Sequence, residues 1–140
     1  MTNIRKNKSL SIIKSYYESF NREDIHRLLD LLDENVVHEI NQGATEVGKT
    51  LFSQFMASMT DHYRERVKDL VIMSTDDGTT VAATFIIEGT YLKTAMALPE
   101  ANGQTYNLRC GSFFKLSNGK ITHVTVYYNL SDWIKQVSNQ

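Results

Sequence analysis

With 140 residues, of which 41% are hydrophobic, the chain is long enough to bury one core and too short for two ordinary domains, so one domain over 1–140 is expected. Fifteen basic against sixteen acidic residues leave a formal net charge of −1, which argues against nucleic acid as a partner. The lone Cys110 rules out an internal disulfide, no apolar run approaches the roughly 18 residues of a membrane span, and the N-terminal stretch lacks the apolar core of a signal peptide, so a cytoplasmic protein without membrane attachment is expected.

Residues 1–8, with their short basic stretch, read as a flexible start. Leu10, Ile13, Tyr17 and Phe20 then recur at helical spacing, and after a break at 21–24 a second stripe follows in Ile25, Leu28, Leu29 and Leu32. Residues 33–35 turn the chain into a short strand at 36–40, and Asn41, Gln42 and Gly43 offer a tight turn into a partner at 44–47. Thr50 is placed to cap a third helix, whose stripe is Phe52, Phe55, Met56, Met59 and Tyr63. Beyond Tyr63 the period changes. Segments 64–74, 80–94, 104–116 and 121–129 are rich in β-formers and joined by short turn-rich connections, which can link only antiparallel neighbours. A short helix capped by Ser131 closes the chain. Helices followed by a meander predict an α+β domain.

The stretch NQGATEVGKT (41–50) fits the phosphate-loop pattern G-x-x-x-x-G-K-[ST] through Gly43, Gly48, Lys49 and Thr50. Such a loop works at the end of a buried parallel strand flanked by further β-α units, and no crossover helix follows Tyr63. His38 and Glu39 also interrupt the strand that precedes it, and Glu46 brings negative charge toward the phosphates. No nucleotide is therefore expected as a partner. His26, His38, His62 and His123 show no metal-ligand spacing, so neither metal nor cofactor is expected. Ser112 follows Gly111 inside a predicted strand without the surroundings of a nucleophile elbow.

A sheet covered by helices on one face can curl into a cone with an apolar mouth. Candidates for its lining are Tyr16, Tyr17, Phe55, Met59, Phe85, Ile87, Phe114, Val126 and Tyr128. A tyrosine or a glutamate facing such an interior must find a partner, which marks either a structural hydrogen bond or a working site.

The run from Ser15 through Ile25, then Val36-Val37-His38-Glu39 and Gly48, then the closing run from Phe113 through Ile121, resembles the nuclear transport factor two-like superfamily. Within it the sequence is similar to ketosteroid isomerase-related and SnoaL-like polyketide cyclase proteins. The resemblance implies a conical α+β domain, three N-terminal helices in the concavity of a curved, mostly antiparallel mixed sheet, and a homodimer. Residue by residue, Tyr16 matches the oxyanion-binding tyrosine of the steroid isomerases and Glu39 falls where they carry their carboxylate base. The second acid of that site has no equivalent, its place falling near Gly111 and Ser112. Strand alternation puts Val37 and Glu39 on one face and Val36, His38 and Ile40 on the other, so His38 is a rival base.

Two functions fit these residues. One is a cofactor-independent isomerase, cyclase or dehydratase-like enzyme, with Glu39 as base and Tyr16 as oxyanion donor for a small apolar carbonyl compound, and with Tyr17, His38, Phe55, Met59, Phe85, Ser112, Phe114, Val126 and Tyr128 around the substrate. The other is a non-catalytic module that uses the same cone to hold a ligand or a partner chain. The outer face of the sheet, left uncovered by three short helices, is expected to pair two copies.

Overall fold

The computed structural model describes residues 3–40 and 43–140. Helix α1 spans Ile4–Asn21 and buries Ile13, Tyr16 and Tyr17. It begins inside the stretch expected to be flexible, because its first turns are docked. Ser9 Oγ donates to the carbonyl of Gly78 at 2.6 Å and Lys6 Nζ stands 3.7 Å from the Asp76 carboxylate. Gly78 itself has φ +72, and a Cβ there would lie 2.6 Å from the Arg5 carbonyl oxygen, so only glycine lets the helix approach this turn.

Helix α2, Ile25–Asp30, is capped by Asp24, whose side chain accepts from the Arg27 amide. It stops two residues before the expected Leu32, which instead opens strand β1, Leu32–Ile40. The turn expected at 33–35 is a register shift within that strand. Strand β2, Thr45–Val47, pairs antiparallel with β1, as the hairpin reading requires, while Asn41 and Gln42 of the expected turn lie outside the described residues. Helix α3, Lys49–His62, is entered from Gly48 (φ +107) rather than capped by Thr50. The residues of the phosphate-loop pattern have other work here: the Gly48 amide donates to the Val36 carbonyl, and Lys49 Nζ sits 3.5 Å from a Glu34 carboxylate oxygen.

Strands β3 (Tyr63–Ser74), β4 (Thr80–Tyr91), β5 (Thr105–Ser117) and β6 (Lys120–Tyr128) form the meander. The last helix, α4 (Leu130–Ser138), is capped by Asn129, which accepts from the Asp132 amide, and not by Ser131. Six strands lie in the order β2-β1-β6-β5-β4-β3, with β1 and β6 parallel and every other pair antiparallel. Among the described residues no helix is long and apolar enough to cross a membrane.

Curvature has local causes. Register shifts interrupt β3 between Lys68 and Val71, where Asp69 takes φ +54, and the β5–β6 pair at Lys115 and Leu116. Such bulges bend a strand and sharpen its twist. The bent sheet wraps α1, α2 and α3. In β4 alternation is strict, with Val81, Ala83, Phe85, Ile87 and Tyr91 buried toward the helices. One end of the concavity is filled by Ile13, Leu28, Leu32, Phe114 and Ile121, each fully buried or nearly so and each stabilising by about 1.5–3 kcal/mol. At the other end Trp133 of α4 packs edge-on against Tyr91 and Tyr106, with ring centroids 4.8 and 5.8 Å away. The edge strand β3 is closed at Val67 by Asn21, whose amide both donates to and accepts from the Val67 backbone at 2.8 Å. Between the two packed ends the concave face is open.

Candidate functional site

The opening is a cavity of about 290 Å³. Of the residues named from the sequence, Tyr16 and Tyr17 of α1, His38 of β1, Phe55 and Met59 of α3, Phe85 and Ile87 of β4, and Val126 and Tyr128 of β6 line it. Two expected residues stand behind the wall. Phe114 is fully buried beneath Tyr16, and Ser112 is spent on a 2.6 Å hydrogen bond with the Tyr17 hydroxyl.

The geometry separates the two rival bases. Glu39 reaches the rim of the cavity, but its side chain is exposed, and its carboxylate accepts from Thr125 Oγ1 at 3.4 Å on the outer face. Strand alternation leaves open which of Glu39 and His38 faces the cone, and Glu39 stands at its rim with an exposed side chain. Its neighbour His38 points inward, 5% exposed, between Phe52 and Phe55 with ring centroids 4.7 and 4.6 Å away. Alternation permits only one of the pair inside, and β1 turns its fully buried Val36 and His38 to the same side. Burial in this aromatic slot pushes the imidazole below its ordinary value, which keeps it neutral at pH 7. Its Nδ1 has no hydrogen-bond partner among the described residues.

A carboxyl group does reach the cavity, from a strand where none was expected. Glu65 lines it from β3, beside Tyr63. The residue as a whole is only half-buried, yet its carboxyl end is enclosed, and one oxygen accepts from the Tyr106 hydroxyl at 2.6 Å. Burial raises its pKa, and the Tyr106 hydrogen bond opposes that rise in part. Its charge acts on neighbours already raised by burial: Cys110 goes up to about 12, and Tyr128 is raised further. Tyr63 is pushed up to about 12, chiefly by burial. The sequence signal for Glu65 lies in phase rather than in a motif. It stands at the same parity as Tyr63 and Val67, while Arg64, Arg66 and Lys68 take the opposite face.

The two tyrosines of α1 differ in their hydroxyls. Tyr17 is tied to Ser112, whereas Tyr16 makes no hydrogen bond to protein among the described residues and keeps its proton through burial. Their rings pack edge to face at 5.1 Å, which holds the Tyr16 ring in place. The cavity thus offers a neutral imidazole on one wall, a free phenol from α1 and a carboxyl whose pKa burial raises, among apolar side chains.

The raised pKa of Glu65 carries a stability consequence. For an acid whose folded value lies above its unfolded one, the contribution is fully present below the unfolded value, about 4.3, and is lost as pH rises from there toward the folded value. Glutamine retains an acceptor for Tyr106 and has no charge to desolvate. Glu65→Gln should therefore be more stable than the wild type at pH 7 and about equal to it near pH 3.5, by urea unfolding. Lower stability of the variant at pH 7 would mean that the Tyr106 bond outweighs desolvation.

Comparison with known proteins adds to this geometry. The family model described as SnoaL-like domain matches residues 13–124. A Xanthomonas campestris protein whose structure carries the provisional name polyketide cyclase is 44% identical, with 95% of this chain and 98% of that one covered and a TM-score of 0.92. A second protein under the same provisional name, from Pseudomonas putida, is 47% identical over 92% of this chain and 97% of its own, with a TM-score of 0.91. A Burkholderia pseudomallei protein described as NTF2-like and of unknown function shares the fold at 16% identity, covering 99% of both chains with a TM-score of 0.80. The curated proteins return no match.

Proposed function

This chain belongs to the SnoaL-like domain family, and from that premise we propose that its cone binds a small apolar carbonyl compound and moves a proton at the carbon beside the carbonyl, without a cofactor. The observation that carries the reading is His38, a buried imidazole held neutral in an otherwise aromatic slot of the cavity. Neutral imidazole is the form that accepts a proton. The enolate that results needs donors, and the Tyr16 hydroxyl, joined by Glu65 whenever its burial-raised carboxyl carries a proton, is the group assigned to it. In this reading Glu65 takes the part of the second oxyanion acid whose place near Ser112 is empty of acids, and supplies it from β3. An intramolecular ring closure through an enolate begins with the same proton removal, which agrees with the provisional name of the two relatives.

The mostly apolar lining also suits a carrier that holds its ligand unchanged. Deuterium exchange at the α-carbon of a panel of apolar ketones, followed by NMR, separates the two. Exchange that depends on His38 supports the enzyme; binding without exchange leaves the carrier.

The outer face of the sheet is proposed to pair two copies of the chain. Phe113 and Tyr127 stack edge-on there with centroids 5.8 Å apart and remain about half exposed, as do Val71 and Met73 on β3. Burying such a patch symmetrically removes it from water. Light scattering at micromolar concentration should give twice the 16.0 kDa chain mass, and Phe113→Asp should return it to the monomer value. A wild type that is monomeric throughout that range sinks the pairing.

A further inference from the structure

The hairpin at the rim of the cavity holds a second carboxylate that the proposed reaction does not use. In the β1–β2 register His38 stands directly opposite Glu46. Opposed residues on neighbouring strands project to the same face, with Cβ atoms about 4.5–5.5 Å apart, within reach of one another through side-chain rotation. Glu46 is turned inward, while Thr45 and Val47 on either side of it are exposed. Among the described residues, the buried side-chain polar atoms that lack any hydrogen-bond partner are His38 Nδ1 and Glu46 Oε1.

A neutral imidazole donates from one nitrogen and accepts at the other, and a carboxylate only accepts. In the tautomer protonated on Nδ1, His38 offers a donor to the open acceptor of the directly opposed Glu46, and leaving both atoms open is costly. Nearby charges are otherwise engaged: Lys49 is paired with Glu34, and Glu39 turns to Thr125 on the outer face.

We propose that Glu46 is the positioning residue for His38. Its carboxylate accepts from the Nδ1–H of His38 when the side chains rotate into contact, which fixes the tautomer whose bare Nε2 faces the cavity. The proposal rests on the reading of His38 as the base. A base works only if its lone pair faces the substrate, and the tautomer of a histidine is set by the hydrogen bond its other nitrogen makes.

The test is the tautomer itself, read from two-bond proton–nitrogen correlations of ¹⁵N-labelled protein at pH 8, with the His38 signals identified by their loss in His38→Gln. The wild type should carry its proton on Nδ1. Glu46→Ala should shift the ratio toward Nε2–H by about tenfold or more, the weight of one hydrogen bond to a charged group. Glu46→Gln, whose amide oxygen still accepts, should restore the wild-type tautomer. A wild type protonated on Nε2 overturns the proposal without recourse to any variant, and so does an unchanged ratio in Glu46→Ala. The two readings can fail separately. A tautomer that answers to Glu46 in a protein whose turnover survives loss of His38 keeps the pairing and removes the base. An unresponsive tautomer beside a turnover that needs His38 removes the pairing alone.

Discussion

His38→Ala should slow α-proton exchange on an apolar ketone by about 10²–10⁴-fold, the span that a positioned general base commonly contributes. His38→Gln should do the same while keeping a polar side chain in the slot between Phe52 and Phe55, so a lost base is distinguished from a lost shape. The pH profile gives a second check. Burial lowers the imidazole below its ordinary 6.5, so the wild-type rate should hold level through neutrality and fall only in acid, as His38 takes up its proton. Glu39→Gln, on the outer face with Thr125, should leave the rate within a factor of about two, as expected of a side chain that touches no reacting atom. If Glu39→Gln is the dead variant and His38→Ala the active one, the cavity has been read from the wrong side of β1.

That choice of face shows where the sequence was legible and where it was not. Element order, the antiparallel meander and the helix stripes follow from periods of 3.6 and 2, and these are local properties of the chain. The face of β1 is not local. Val36 and Val37 present an apolar side chain on each side, so alternation left Glu39 and His38 equal, and only the packing of Val36 against the core decides between them. Cap positions slipped for a related reason. Ser131 has the right chemistry, but Asn129 already accepts from the Asp132 amide and starts the helix earlier. The N-terminal turns looked free because their partner is the hairpin turn at Gly78, some seventy residues away along the chain. Glu65 was hidden by its company: in Tyr-Arg-Glu-Arg-Val-Lys a glutamate reads as one more solvated charge, and only the Tyr106 hydroxyl, supplied from β5, marks it as an enclosed carboxyl.

Gly89→Ala should destabilise the protein by roughly 2–4 kcal/mol, combining overpacking of about 1–3 kcal/mol with the loss of a buried hydrogen bond. Glu65, Gly89 and Tyr106 are aligned across β3, β4 and β5. Tyr106 can reach Glu65 only by laying its ring over the strand between them, and a Cβ on Gly89 would collide with the hydroxyl end of that ring. The ring has little freedom to yield, since Tyr106 is 3% exposed and packed edge-on to Trp133. Displacing it strips the enclosed Glu65 carboxyl of its donor and loosens the α4 end of the cavity in one step. Alanine restricts the unfolded chain more than glycine does, which offsets only about 0.4–1 kcal/mol of the cost. The mechanism is tested by a double-mutant cycle in urea. In a Tyr106→Ala background, where the ring is gone, the same Gly89→Ala change should cost less than about 1 kcal/mol, a coupling expected only of residues in direct contact. An equal cost in both backgrounds would place the strain in the β4 backbone and detach Gly89 from the Glu65 site.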